Sequence, residues 1–116
     1  MTTYVDGFVV AVPTAQKETY RAFCQKMAAL FKEYGALEVV DCWGDDVPPG
    51  KLTSFPLAVK AEADETVCFG YTTWASREAR MAGWQKLEND PRMKDAGNPP
   101  FDGKRMIYGG FERISS

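Results

Sequence analysis

The chain of 116 residues contains no histidine. A Ser-His-Asp or Cys-His relay therefore cannot form within this chain, and the imidazole that commonly binds metals in proteins is missing as well. Any acid–base chemistry would have to use Asp, Glu, Tyr, Lys or Cys with a shifted pKa, or a group on the ligand. This absence excludes several large classes of enzyme.

Cysteine is scarce, and its three positions form no metal-binding or disulfide pattern. Cys24, Cys42 and Cys68 include no C-x-x-C pair, and an odd number of cysteines does not make a complete disulfide framework. Each lies in an apolar helix or strand pattern, where cysteine usually behaves as a small hydrophobic residue. We therefore expect reduced thiols that serve in packing.

Long apolar runs and an excess of positive charge are also missing. No stretch approaches the roughly 20 apolar residues that span a bilayer, and no basic segment leads into an apolar run at the N-terminus. A net charge of -2 and a pI near 5.1 give little attraction for a phosphate backbone. These absences predict a cytoplasmic protein that binds neither membranes nor nucleic acid.

The sequence lacks recognised motifs for nucleotides and metals. It has no G-x-G-x-x-G or Walker pattern, and the run Tyr108-Gly109-Gly110-Phe111 does not lead into a helix that would hold a phosphate. Asp45 and Asp46 are oxygen ligands of the kind that Mg²⁺ and Ca²⁺ prefer, but no calcium-loop spacing follows them. An Asp-rich turn explains them better, so we expect no cofactor and no metal site.

The sequence does contain two strand-to-helix units, of which the first begins near the N-terminus. Residues 4–12 are rich in aromatic and β-branched side chains and predict a strand that is largely apolar on both faces. Thr14 is expected to cap the helix that follows, in which apolar residues recur at helical spacing up to residue 34. Gly35 then ends the helix in a left-handed conformation.

The second unit repeats this plan with a strand at residues 66–74, the helix cap Ser76 and a helix that ends near residue 89. Glycine, proline and alternation predict the other segments. These are a strand at 36–43, a loop at 45–51, a short strand or one helical turn around 55–59, a loop at 89–103, and a strand at 105–114 in which Gly109 and Gly110 mark a bulge or the approach of another backbone or a ligand.

The resulting order β-α-β-β-α-β predicts an α+β, ferredoxin-like fold, with an antiparallel sheet that carries both helices on one face. The length suits a single domain over residues 1–116. Because the first strand is apolar on both faces, the other side of the sheet needs a second layer. A second copy of the chain is the economical source, so we expect a homodimer that packs sheet against sheet.

Five short segments carry a resemblance to a known family. They are YVDGFVVAVP, CWGDDVP, VKAEADE, DPRM and FDGKRMIYGGF. Together they resemble the YbaA-like family of small bacterial proteins, a domain of unknown function, over nearly the whole chain. The resemblance implies a subunit of the dimeric α/β-barrel superfamily, in which two sheets enclose a cavity. It implies no established reaction, because this superfamily includes cofactor-free monooxygenases, haem-degrading enzymes, lactone isomerases and members without known activity.

Asp6 is the first candidate site residue, because a carboxylate within an apolar strand must be paired, solvated in a cavity or neutralised. Desolvation would make it a base with a raised pKa. An approach of Arg105 or Lys104 would instead make it a partner in an ion pair with a lowered pKa. Both alternatives are open from the sequence.

A second set of candidates comprises one arginine and three aromatic residues. These are Arg105, Trp43, Tyr71 and Tyr108, which three predicted strands bring to one sheet. Arg105 would bind a carboxylate or phosphate, while the aromatic residues would contact the apolar body of a ligand. Alternation places Arg105 and Tyr108 on opposite faces, so they converge only if the glycines form a bulge or if Arg105 lies at the end of the strand. Packing and ion pairs at a dimer interface are the other explanation.

These observations favour a protein that binds a small molecule in a cavity between the sheets of a homodimer. A cofactor-independent oxygenase or isomerase, which would stabilise the anion of an enolisable substrate, is one alternative. A structural or protein-interaction module without catalytic activity is another. The sequence leaves it undecided whether the chain is an enzyme.

Overall fold

The helices and strands of the computed structural model follow the predicted order, with two short helices in addition. The structure describes residues 3–95 and 98–115. In chain order, the elements are β1 (Tyr4–Pro13), α1 (Lys17–Glu33), β2 (Glu38–Trp43), α2 (Phe55–Ala58), β3 (Glu65–Trp74), α3 (Arg77–Glu88), α4 (Pro91–Asp95) and β4 (Ile107–Glu112).

The four strands form one antiparallel sheet in the order β2-β3-β1-β4. Helices α1 and α3 pack on one side of it, which we call the helix face. There Val10 and Val12 of β1 pack with Tyr20 of α1, and Trp74 of β3 packs with Leu30 of α1 and Leu87 of α3. The predicted α+β, ferredoxin-like fold is confirmed.

Glycine at position 83 lets α3 approach the sheet closely. A Cβ atom there would lie 2.5 Å from the ring of Trp74 and 2.9 Å from the backbone oxygen of Tyr34. Trp74 is fully buried, so its ring has little room to move away. The small residue therefore sets the distance between the helix and the sheet, which also positions the residues of α3 described below.

The predicted cap of α1 is wrong, whereas the other predicted helix ends are confirmed. Residues Thr14–Gln16 form a 3₁₀ turn, and the hydroxyl group of Thr14 forms a hydrogen bond with that of Thr66 at 2.7 Å. Strand β1 continues to Pro13, so Thr14 faces the start of β3 instead of the first turn of α1. Gly35 has a φ of 111°, and Ser76 Oγ accepts a hydrogen bond from the backbone N–H of Ala79, as expected.

The segment around residues 55–59 forms a helical turn, which is one of the two conformations predicted for it. Ser54 caps α2 by accepting a hydrogen bond from the backbone N–H of Leu57. The following Val59 is fully buried against Val9 and Val67, whose side chains lie on the side of the sheet opposite α1 and α3. We call this side the outer face, and the α2 segment covers one end of it.

The C-terminal third differs from the prediction in three places. The predicted loop at 89–103 contains α4, and Arg105 belongs to a 3₁₀ turn that precedes β4, so the last strand is shorter than expected. The pairing of β1 with β4 runs without interruption, so no bulge occurs at Gly109 and Gly110. A Cβ atom at Gly110 would lie 2.7 Å from the ring of Tyr4, which explains the glycine by the close approach of a side chain.

Candidate functional site

A cavity of about 990 Å³ lies between α1, α3 and the helix face of the sheet. Its floor follows two rows of paired residues that cross all four strands. The first row is Val39, Thr72, Asp6 and Gly110, and the second is Asp41, Gly70, Phe8 and Tyr108. The ring of Phe8 covers Gly70, where a Cβ atom would lie 2.3 Å from it. Phe8 therefore lies across the centre of the floor.

The remaining walls of the cavity are mostly aromatic and thioether side chains. Aromatic groups offer large apolar surfaces, and methionine adapts to ligands of different shape because its chain is unbranched and polarizable. These wall residues are Phe23, Met27 and Phe31 of α1, Met81 and Trp84 of α3, Met93 of α4, and Phe101 and Met106 of the segment before β4. The cavity is thus suited to an apolar molecule.

Asp6 lines this cavity and is held there by three side chains. Its Oδ1 accepts a hydrogen bond from Nη2 of Arg80 at 2.8 Å, and its Oδ2 accepts from the indole N–H groups of Trp74 at 2.9 Å and Trp84 at 3.0 Å. Nε of Arg80 lies 3.1 and 3.2 Å from the two oxygens. The pairing alternative is therefore the one observed, but the cation is Arg80, and the expected approach of Arg105 or Lys104 does not occur.

The pairing orients Arg80 as well as Asp6. The hydrogen bond to Asp6 raises the pKa of Arg80, so its guanidinium group carries a full positive charge at neutral pH. Its Nη1 contacts the sulfur of Met81 at 3.5 Å, and thioether sulfur is a weak acceptor. Arg80 therefore presents unused donor capacity at the wall of the cavity.

A second carboxylate, Asp41, lies on the β2 side of the floor. Asp41 keeps an exposed surface, but partial desolvation raises its pKa, and the neighbouring thiol of Cys24 partly offsets this effect. Burial also raises the pKa of Cys24 to about 12, so this thiol is protonated at neutral pH. The pKa of the adjacent Tyr20 is raised for the same reason. Among Asp41, Cys24 and Tyr20, Asp41 is thus the most acidic group. The Cys24 thiol and the Tyr20 hydroxyl beside it are both protonated at neutral pH.

Trp43 and Tyr108 lie at opposite edges of the helix face. Trp43 lines a smaller depression of about 300 Å³, which adjoins the main cavity and shares Tyr20, Cys24 and Asp41 with it. The ammonium group of Lys17 lies 5.6 Å from the centre of the Trp43 ring. Tyr108 belongs to the lining of the main cavity, on edge strand β4.

Tyr71 and Arg105 lie outside the cavity. Tyr71 pairs with Gly7 and Val40 and points to the outer face, where its ring centre is 6.4 Å from that of Phe69. Both terminal nitrogens of Arg105 donate to the carboxylate of Glu65 at 2.7 Å, and Nε donates to Asp102 at 3.1 Å. Arg105 thus holds the turn before β4 against the start of β3.

Of the five predicted site residues, the structure brings only Asp6 and Tyr108 to one cavity, with Trp43 in the adjoining depression. Their role in binding stays a prediction. The sequence reasoning missed Arg80 and Asp41. Asp41 shares an apolar strand face with Val39 and Trp43, which is the same signal that identified Asp6. Arg80 lies 74 positions from Asp6, so no local pattern indicates their contact.

The described residues show no group of three or more Cys, Asp or Glu side chains that could hold a metal ion. Three free thiols are present, as expected. Cys68 is buried and Cys24 is half-buried, in line with a packing role. Cys42 is exposed on the outer face, so the expectation of packing is wrong for this residue.

Comparison with known families places the chain among proteins without an assigned activity. A family model described as "Protein of unknown function (DUF1428)" matches residues 3–103, and the chain belongs to this family. It is 59% identical over 112 residues to the uncharacterised protein YbaA of Escherichia coli K12, with 96% of each chain covered. The YbaA protein of Shigella flexneri is similar to the same extent. The YbaA-like resemblance is confirmed.

Solved structures show the same fold at low sequence identity. A dimeric ferredoxin-like protein from an uncultured marine organism matches with a TM-score of 0.65 and 9% identity, over 100% of this chain and 99% of the other. SnoaB, a cofactor-independent oxygenase from Streptomyces nogalater, matches with a TM-score of 0.51 and 16% identity, over 99% of this chain and 94% of the other. These likenesses define the architecture alone. No helix among the described residues is long and apolar enough to cross a membrane.

Proposed function

We propose that this protein binds a small, largely apolar molecule in the cavity between α1, α3 and the helix face. The observation that carries this proposal is the cavity itself, because about 990 Å³ lined by aromatic and thioether side chains is the size and composition of a ligand site. A few polar groups, including Asp41, Arg80 and Tyr108, interrupt the apolar lining and would orient the molecule.

The cavity lies within one subunit, although the sequence led us to expect a pocket between two sheets. In this fold the strand faces differ, since Asp6 and Phe8 point towards the helices and Val5 and Val9 point away from them. Binding on the helix face leaves the outer face for contacts between subunits. Ligand binding and subunit contact, which the sequence analysis places at one interface, thus use opposite faces of the sheet in this proposal.

Thermal unfolding in the presence of a metabolite collection tests the proposal, with mass spectrometry to identify bound compounds. A molecule that binds the folded state raises the melting temperature by mass action. Replacement of Met27, which lines the cavity, by tryptophan places a larger ring in it, and we expect Met27→Trp to reduce or abolish the shifts produced by binding compounds.

The matched control is Lys26→Trp, which adds the same ring to an exposed position of the same helix. The control should retain the shifts of the wild type. Shifts of equal size in Met27→Trp and the wild type would place the bound compounds elsewhere and contradict the proposal. Failure of every compound to shift the wild type would weaken it.

We also propose that two copies associate through their outer faces to form a homodimer. Phe69, Ile107 and Phe111 lie on this face and are between 43% and 60% exposed in the single chain. Such a contiguous apolar surface is uncommon on a monomer. The ferredoxin-like structure with the similar fold is dimeric, which supports the association of two copies.

A further inference from the structure

We propose that Asp41 is the polar anchor of the cavity and binds a hydrogen-bond donor, such as a hydroxyl or amino group, on a ligand whose apolar body lies across Phe8. This inference rests on the proposed function and specifies its ligand class. The two residues lie in one cross-strand row, with Gly70 between them, and both line the cavity.

Asp6 and Asp41, two of the three carboxylates that line the cavity with Glu88, differ in how fully their oxygens are occupied. Asp6 already accepts hydrogen bonds from Arg80, Trp74 and Trp84, so another donor would have to displace one of them. Among the described residues, the side chain beside Asp41 that can donate to it is the Cys24 thiol, which is a weak donor. Asp41 therefore has lone pairs available for a ligand.

The nearby cations are engaged elsewhere. Arg21 of the adjoining depression donates to Glu18 at 3.0 Å, and Lys17 lies over the ring of Trp43. Among the described residues, Asp41 takes part in no ion pair, whereas Asp6 is paired with Arg80. Asp41 is exposed to solvent in the single chain, so a ligand that donates a hydrogen bond would replace water there, and a ligand with an anionic group in the same place would be repelled.

The distances across the floor fit a molecule of more than one ring. Asp41 lies on edge strand β2 and Tyr108 on edge strand β4, so three strand spacings, or roughly 14 Å, separate the two strands. Phe8 lies between them. A planar apolar body anchored at Asp41 would therefore contact Phe8 and extend towards Tyr108.

Two naphthalene probes that differ in a single hydrogen-bond donor test the proposal. 2-Naphthol carries a hydroxyl donor, and 2-methoxynaphthalene has the same ring system without one. Because a hydrogen bond to a charged group favours binding by about tenfold or more, we expect the wild type to bind 2-naphthol tighter than the ether by about that factor. Titrations followed by tryptophan fluorescence and calorimetry give both dissociation constants.

The variant Asp41→Val removes the carboxylate while it keeps a branched side chain that suits a strand. It should lose the preference for 2-naphthol and retain the affinity for 2-methoxynaphthalene. Glu38→Val is the matched control, because Glu38 lies on the same strand but on the outer face, and it should keep the preference. Asp41→Asn is a second variant that preserves the side-chain shape, and it should show a smaller preference than the wild type.

The outcomes separate this inference from the proposed function. Equal binding of the two probes by the wild type, or an unchanged preference in both Asp41 variants, would overturn the role of Asp41 and leave the cavity as a site. If neither probe binds the wild type, the ligand class proposed for Asp41 is overturned, and the proposed function is then decided by the metabolite collection and the Met27→Trp variant. A preference that depends on Asp41 and is insensitive to Glu38 supports both.

Discussion

At the scale of the residue, the ion pair between Arg105 and Glu65 makes the stability of the fold depend on pH. The hydrogen bonds from Arg105 hold the pKa of Glu65 below its ordinary value of 4.5. A carboxyl group whose pKa is lower in the folded state stabilises the fold above its unfolded pKa, and this contribution is lost as the pH falls through the folded pKa. We expect Glu65→Gln to lower the urea midpoint near neutral pH. Below the folded pKa of Glu65, the wild type and the variant should converge.

Urea denaturation of the wild type and Glu65→Gln across this pH range measures the difference. Other carboxylates, such as Asp90, whose pKa is lowered by Arg92, change both proteins alike and cancel from the comparison. Glu62→Gln, at an exposed position of the same segment, should differ little from the wild type at any pH. A gap between wild type and Glu65→Gln that persists unchanged in acid would contradict the role of this ion pair.

At the scale of the element, the sequence predicts the long helices and strands well and the short ones poorly. Strands β1 and β3 and helices α1 and α3 have 10 to 17 residues, so several periods of alternation or helical spacing reveal them. The five residues of α4 complete too few turns to show a period. Contacts that are distant in sequence fix α4, since Arg92 pairs with Glu33 and the hydroxyl group of Tyr34 donates a hydrogen bond to Asp90, which precedes the helix.

The site follows the same rule. Alternation along a strand shows that Asp6 and Phe8 share a face and that Tyr71 and Phe69 share another. It does not show which of the two faces the helices cover, so the sequence predicts one site for Tyr71 and for residues that lie on the opposite side of the sheet. Arg105 lies away from the cavity for a reason other than alternation, because it precedes β4 and pairs with Glu65.

The packing of α3 on β3 yields a prediction that opposes helix propensity. Alanine usually stabilises a helix by about 1 kcal/mol relative to glycine, but a Cβ atom at position 83 would overlap the ring of Trp74. The ring has little room to move, because it is fully buried and its indole N–H donates a hydrogen bond to Asp6. With a cost of overpacking of about 1–3 kcal/mol, we expect Gly83→Ala to destabilise the protein by up to about 2 kcal/mol.

Chemical denaturation measures this change in the free energy of unfolding. Ala82→Gly, at the neighbouring exposed position, measures the difference in helix propensity between alanine and glycine without a steric overlap. It should lower the free energy of unfolding by about 1 kcal/mol. The contact between Gly83 and Trp74 would be shown to be unimportant if Gly83→Ala raised the stability by the amount that Ala82→Gly lowers it.

At the scale of the whole molecule, one face of the sheet lines the proposed ligand cavity and the other is the proposed dimer surface. The helix face lines the cavity, and the outer face exposes Phe69, Ile107 and Phe111 beside the α2 segment, whose Phe55 ring lies 6.3 Å from that of Phe69. Burial of such a surface between two copies would release water from apolar side chains, at roughly 25 cal/mol for each Å² removed from water. The wild type should therefore have twice the chain mass of 12.9 kDa in size-exclusion chromatography with light scattering at micromolar concentration.

The variant Phe69→Lys places a charge within this surface, and we expect it to have the mass of a single chain because an unpaired charge is costly to bury. Met81→Lys introduces the same charge at an exposed apolar residue of α3 and should leave the mass of the dimer unchanged. If the 2-naphthol site lies within one subunit, monomeric Phe69→Lys should bind the probe as tightly as the wild type. A wild type with the mass of one chain would contradict the dimer, and loss of probe binding in a folded Phe69→Lys monomer would show that the cavity needs the second subunit.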